Sequence, residues 1–207
     1  MAKVLNTHYI FNSDGILVSR KAWNRRSRDY AWNSTNNRVY FFRDGTSPND
    51  LNYEEIDQDT GEITGKGETP YHGDYSIKPP VRVSDDGTLV LLGSGDLYDA
   101  DTLEYVNSLP IEPKDAVWIN EGLLTIRKTL DEKTVLEQWG SDLTLYNTQH
   151  YEGQPLRVFN WSDGVIVITS VNNKPAFFKY TPTNDADNDG VPNLEDAFPR
   201  DPAASLD

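Results

Sequence analysis

The chain has 207 residues, 37% of them apolar and 11% aromatic, with no cysteine and a formal net charge of −14. Its length and apolar content suit one globular domain with a short appendage, and the missing cysteines exclude a disulfide framework and thiolate chemistry. The acidic balance repels phosphate and so argues against nucleic acid or an anionic membrane as the main partner.

No apolar run, VIVIT near Val165 included, approaches the roughly 20 residues of a membrane-spanning helix, and the opening MAKVLNTHYI lacks the apolar core of a secretory signal. The charge is unevenly spread. Asp185 to Asp207 hold seven acidic residues against Arg200 alone, while Arg20, Lys21, Arg25, Arg26 and Arg28 gather near the other end. Such a basic run is expected to be a solvated loop between strands, with docking of a protein partner as its other use.

In chain order the body reads as hairpins: YIFNSDGILV (9–18), YAWNSTNNRVYFF (30–42), EEIDQDTGEITG (54–65), VRVSDDGTLVLL (81–92), DLYDADTLEYV (96–106), AVWINEGLLTIR (116–127), DLTLYNTQHYEG (142–153) and LRVFNWSDGVIVIT (156–169). In each, β-branched and aromatic residues flank polar pairs that tolerate positive φ. The turn markers form two interleaved series. Asn37, Gly87, Gly122 and Gly164 are spaced by 50, 35 and 42 residues, and Gly15, Gly61, Leu103 and Thr148 by 46, 42 and 45. Two hairpins per repeat make four strands, and a four-stranded unit recurring at about 40–45 residues is the pattern of a β-propeller blade. The predicted fold is therefore all-β. The nearest helix candidate, PKDAVWINEGLL, alternates in a way that fits a strand better.

On SDDGTLVLL and LYDADTLEYV, residues 5 to 182 resemble blades of the broad propeller superfamily that includes the WD-repeat-like and quinoprotein-like proteins. The Trp-Asp dipeptide of the former and the tryptophan docking motif of the latter are missing, so the resemblance implies architecture only. Complete units span 27–65, 78–109 and 113–153; a three-stranded one spans 156–181, and the chain opens on a hairpin of an earlier blade. Either the N-terminal strands complete the last blade of a four-bladed ring, or the chain is an excised piece of a larger propeller whose open strand edges would pair with another copy.

Residues 183–207 form a second region. In TNDADNDGVPNLEDAFPRDP, with Asp185 as position 1, Asp187 stands at 3, Asp189 at 5, Gly190 at 6, Val191 at 7, Asn193 at 9 and Asp196 at 12. A calcium loop supplies its oxygens from these positions: carboxylates at 1, 3, 5 and 12, a backbone carbonyl at 7 and a water-bridging group at 9, with glycine at 6 for the bend. Without a cation the crowded carboxylates repel one another and the segment is expected to be largely disordered. An EF-hand or dockerin would continue into a helix, which Pro199 and Pro202 forbid.

The stretch 185–207 resembles instead a thrombospondin type 3 repeat in its cysteine-free bacterial form. That resemblance implies Asp185, Asp187, Asp189, Val191 through its carbonyl, Asn193 and Asp196 as calcium ligands, and Phe198 as an apolar anchor against the preceding body. Asn193 departs from the family's usual aspartate, and the chain stops at Asp207, where a next copy would begin, which favours excision. The resemblance places the protein outside the cell or on its surface, with the periplasm as the other setting and an export signal in a longer parent.

Evidence for catalysis is thin in the sequence. His8, His72 and His150 lie in unrelated segments without metal-ligand spacing or a Ser/His/Asp pattern, and are read as ordinary polar residues. The tryptophans Trp23, Trp32, Trp118, Trp139 and Trp161 are assigned mostly to blade packing, with Trp23 singled out for ligand stacking. The Asn33 and Asn160 sequons are read as chance matches in a bacterial protein. The leading expectation is a non-catalytic extracellular module whose calcium-bound tail stiffens a connector. A carbohydrate-active enzyme or lectin using the propeller face, and a protein-docking platform through Arg20 to Arg28, stand as alternatives.

Overall fold

Seventeen strands account for all the regular structure among the described residues, and every pairing between them is antiparallel. The computed structural model describes residues 6–23, 27–43, 47–71, 73–120, 122–162, 164–187, 189, 191–192, 195–201 and 203, with Asn6, Ala22 and Trp23 described by backbone alone. The chain divides into two units, Met1–Pro110 and Ile111–Asp207.

The first unit opens on the hairpin of β1 (Asn6–Phe11) and β2 (Leu17–Trp23). Two four-stranded sheets follow, each in sequence order: β3 (Ser27–Asn33), β4 (Arg38–Arg43), β5 (Leu51–Ile56) and β6 (Ile63–Glu68), then β7 (Val81–Val83), β8 (Leu89–Leu92), β9 (Asp96–Asp99) and β10 (Tyr105–Ser108). Strands β4 and β8 lie inside their sheets, so RVYFFR and LVLL are continuous apolar runs and not alternating ones. Tyr40, Phe42 and Leu51 pack with Val81, Val90, Leu92, Tyr98, Ala100 and Leu103 in one core shared by the two sheets. Each fully buried large side chain there contributes about 1.5–3 kcal/mol.

Two turns of this unit use one device. Asp57 Oδ1 accepts from the N–H groups of Asp59 and Thr60 and from the Thr60 hydroxyl, and Asp99 Oδ1 does the same with Asp101 and Thr102. The chain then crosses into positive φ, at Gly61 (70°) and at Leu103 (58°).

The second unit holds a four-stranded sheet of β11 (Asp115–Ile119), β12 (Gly122–Lys128), β13 (Thr134–Gly140) and β14 (Leu145–Tyr151), and a three-stranded sheet of β15 (Gln154–Trp161), β16 (Gly164–Val171) and β17 (Lys174–Tyr180). Leu124, Ile126 and Leu136 of the first sheet pack with Val158, Val165 and Val167 of the second. Alternation along β16 sends Val165, Val167 and Thr169 to the buried side. The buried Asp115 carboxylate accepts from Val158 N–H at 2.9 Å and ties the two sheets together.

The strand boundaries follow the hairpins read from the sequence, with particular corrections. Thr148 marks no turn: it lies within β14, and the chain reverses earlier, where Leu143 takes φ 65°. The reason is that Asp142 accepts from Thr144 N–H and hydroxyl, forming a turn that the Asn147–Thr148 pair only imitates in sequence. Of the described tryptophan side chains Trp139 is buried, its indole N–H bonded to Thr125, Trp118 is partly buried, and Trp32 and Trp161 are exposed. Asn33 is buried with its amide committed to Gly87 O at 2.8 Å, which agrees with a chance sequon.

Candidate metal centre

The acidic segment leaves β17 through an anchored root. Gln138, buried on β13, donates to Thr183 O at 2.6 Å, while its Oε1 accepts from the Tyr180 hydroxyl at 2.7 Å and from Thr183 N–H at 3.3 Å. Thr183 in turn closes a local loop, its hydroxyl donating to Asp185 O at 2.6 Å.

Beyond it the aspartates repeat one pattern. Asp187 Oδ1 accepts from Asp189 N–H at 3.3 Å, Asp189 Oδ1 from Val191 N–H at 2.8 Å, and Asp196 Oδ1 from Phe198 N–H at 2.7 Å. These backbone bonds two residues on are what aspartate favours in turns. The second oxygen of each is left over: Oδ2 of Asp187, Asp189 and Asp196 is enclosed with no hydrogen-bond donor among the described residues. Asp196 as a whole is only 8% exposed. Carboxylate oxygens of Asp185, Asp187 and Asp189 lie within 4.8 Å of one another.

Electrostatics make this arrangement costly for the chain alone. Desolvation raises the Asp187 carboxyl above its ordinary value, and the charges of Asp189, Asp196 and Asp185 push it the same way, against the opposing bond from Asp189 N–H. A buried carboxylate oxygen with no donor forfeits its hydration, and like charges at this range disfavour ionisation. A divalent cation among hard oxygens removes both penalties, and calcium takes six to eight of them. The residues present therefore fit such an ion. Of the ligands expected from sequence, Asp185, Asp187 and Asp189 are brought together, and Asp196 is near enough for its charge to act on Asp187. Val191 contributes a described backbone bond through its N–H; Gly190 and Asn193 lie outside the described residues.

Phe198 departs from its expected role. It is 56% exposed, so it is no anchor, because Asp196 and the turn at Phe198–Asp201 hold that stretch by backbone bonds instead. Beside the cluster a polar cleft of about 350 Å³ is lined by Tyr146, Asn147 and Thr148 of β14 with Ala186, Asp187 and Arg200.

The basic run is only partly described. Arg20 and Lys21 are exposed on β2 and Arg28 on β3, its guanidinium 4.8 Å above the Phe42 ring, so these charges sit on strands and not in the expected loop; Arg25 and Arg26 lie outside the described residues. The Trp23 side chain and His72 are likewise outside them, and His150 is exposed on β14.

The surroundings of His8 are more specific than those expected of an ordinary polar residue. Its Nδ1 lies 2.5 Å from Glu54 Oε2, and its Nε2 lies 3.1 Å from both Ser27 Oγ and the Tyr30 hydroxyl. The three partners come from β5 and β3, with separations of 46, 19 and 22 residues, so no linear motif could reveal them.

No protein-family model matches the sequence, and no curated protein matches it. Solved structures do. The chain is similar to the Dos1 propeller (TM-score 0.60, 14% identity, covering 86% of this chain and 54% of that one). It is similar to a chain of the mitotic checkpoint complex (0.59, 14%, 84% and 56%) and to one of the nidogen/laminin complex (0.55, 11%, 83% and 69%). The chain thus spans just over half the length of the first two. With three four-stranded blades, one three-stranded blade and an opening hairpin, the fold is a β-propeller fold.

Proposed function

We propose that this chain is a binding or scaffold module of propeller blades whose C-terminal loop takes up calcium and so stiffens the connector formed by residues 183–207. The observation that carries the reading is the set of enclosed, donorless Oδ2 atoms of Asp187, Asp189 and Asp196 around the Asp185–Asp187–Asp189 cluster. Asp185, Asp187, Asp189 and Asp196 would hold the ion through carboxylate oxygens, with Val191 through its carbonyl and Asn193 through water completing the set of a twelve-residue loop. Calcium replaces mutual repulsion with attraction, so binding energy becomes ordering energy for the tail. Loops of modest affinity stay loaded where calcium is near millimolar, which suits a module working outside the cell or on its surface.

Calorimetric titration of the full chain with calcium, paired with limited proteolysis with and without a chelator, tests this. Uptake of calcium and chelator-dependent cleavage within 183–207 are expected. Absence of uptake, or cleavage indifferent to the chelator, rejects the reading.

A second reading, docking of a protein partner, is favoured by structural neighbours that occur in the mitotic checkpoint and nidogen/laminin complexes. The exposed Arg20, Lys21 and Arg28 would then recruit an acidic surface. Binding that weakens with salt and is lost on charge reversal at these three positions is the expected result.

A further inference from the structure

We propose that Ser27 is a nucleophile activated by His8 and Glu54, competent for acyl transfer from a carboxylic ester. The hydrogen-bond chain runs from Ser27 Oγ to His8 Nε2 at 3.1 Å and from His8 Nδ1 to Glu54 Oε2 at 2.5 Å. Glu54 is 1% exposed on the interior strand β5. A carboxylate so buried needs a donor, and the imidazole meets that need by carrying its proton on Nδ1. This tautomer leaves the Nε2 lone pair facing hydroxyls, which is the arrangement of a general base. The ring is fixed from two sides, edge-on to Phe41 at 4.9 Å and to Tyr30 at 5.4 Å.

Access fits the role. The His8 side chain is 13% exposed, Ser27 is partly exposed and Tyr30 is half exposed, so a substrate can approach Ser27 without opening the core. The Tyr30 hydroxyl shares Nε2 with Ser27 and stands ready to donate to a developing oxyanion. Desolvation raises its pKa, with the bond to Ser27 opposing and the Glu54 charge assisting, so it stays a phenol at neutral pH.

The step balances without a co-reactant. Ser27 Oγ bonds to the ester carbon as its proton passes to Nε2; the C–O bond to the alcohol breaks, and the alcohol leaves with that proton. Water then repeats the sequence, releasing the acid and restoring the serine. Glu54 takes no part in making or breaking bonds to the substrate and acts as a positioning residue.

A fluorophosphonate reagent reports the nucleophile directly, forming a P–O bond to Ser27 as fluoride leaves. The full chain is treated in the presence of chelator, which separates the result from calcium binding, and is analysed by intact mass and peptide mapping. One adduct on Ser27 is expected, unaffected by Ser13→Ala and absent in Ser27→Ala. Its rate should rise with pH and then level off, as a general base that must be unprotonated requires. His8→Gln should slow labelling by about 100-fold. Glu54→Gln, free to favour the other tautomer, should slow it by about tenfold or more while the plateau is retained at lower height. No adduct, an adduct at another site, equal labelling of His8→Gln, or a rate climbing into the alkaline range without a plateau would overturn the proposal. Ser27→Ala keeps both members of the His8–Glu54 pair, and an unchanged thermal midpoint of that variant separates its loss of labelling from unfolding.

Discussion

In the blade turns the Asp57 carboxylate takes two backbone N–H groups and the Thr60 hydroxyl, and Asp99 does the same with Asp101 and Thr102. In the C-terminal loop Asp187, Asp189 and Asp196 each take one backbone N–H, and each encloses a second oxygen that meets no donor. The consequence for acidity is opposite in sign. The backbone bonds from Thr60 and Thr102 hold Asp57 and Asp99 below the ordinary carboxylate value, whereas desolvation and neighbouring charge lift Asp187 above it. The difference lies in the residue three places on. Asp57 and Asp99 have Thr60 and Thr102 there, each with a hydroxyl and an N–H to give, while Asp187, Asp189 and Asp196 have Gly190, Pro192 and Pro199, none with a side-chain donor and the prolines without an N–H. One turn is complete within the chain; the other leaves carboxylate oxygens that the proposed cation would complete.

The largest test of this contrast is the double change Asp187→Asn with Asp189→Asn. Removing two negative ligands should weaken calcium binding by about 100-fold or more in calorimetric titration, at roughly 1.4 kcal/mol per tenfold, while the thermal midpoint of the chelated protein stays put. Asp57→Asn should leave calcium binding untouched. If the two variants lose calcium equally, the division of labour between the turns is wrong.

Next in size comes Leu103. It holds the place that Gly61 holds in the matching turn, both at positive φ, yet Leu103 is fully buried in the core with Tyr98 and Val90. Leu103→Gly relieves a left-handed backbone cost of about 1–2 kcal/mol and deletes packing whose loss costs about 2–5 kcal/mol. Packing wins, so urea denaturation should show a net loss of about 2 kcal/mol; a stabilised variant would mean that the turn backbone, not the core, sets this site. Asp99→Ala should cost less, about 1 kcal/mol, since it removes hydrogen bonds made at a partly exposed turn.

Blade boundaries were legible because each hairpin carries its own local chemistry. Polar pairs that accept positive φ at Asn37, Gly87 and Leu103 fall where the chain turns. Thr148 misled because an Asn-Thr pair within a strand has the composition of a turn, and only the bonds of Asp142 to Thr144 show where reversal happens. The Asp185–Asp187–Asp189 cluster was legible for a related reason: its members lie within five residues of one another. The enclosure of Asp196 and the anchoring of Thr183 by Gln138, 45 residues away, were not. The His8, Ser27 and Glu54 constellation lay further still from view, since three strands assemble it and no spacing records it.

The smallest effect expected is a separation in pH. Asp57 and Asp99 have depressed folded values, so their contribution to stability is full above the unfolded carboxylate value of about 4 and is lost as pH falls through the lower folded value. Asp187 has a raised folded value, so in the metal-free loop its protonated form is favoured by folding, and that contribution is lost as pH rises through the raised value. Protons and calcium compete for the same oxygen. On acidification, calcium affinity should therefore begin to fall while the blade turns remain fully ionised, opening a pH window in which calcium binding weakens before the blades do. Calcium titrations and thermal melts from pH 7 downward would locate it. Blade melting that precedes or coincides with calcium release would show that the two sets of aspartates share one electrostatic environment, contrary to the hydrogen bonds that distinguish them.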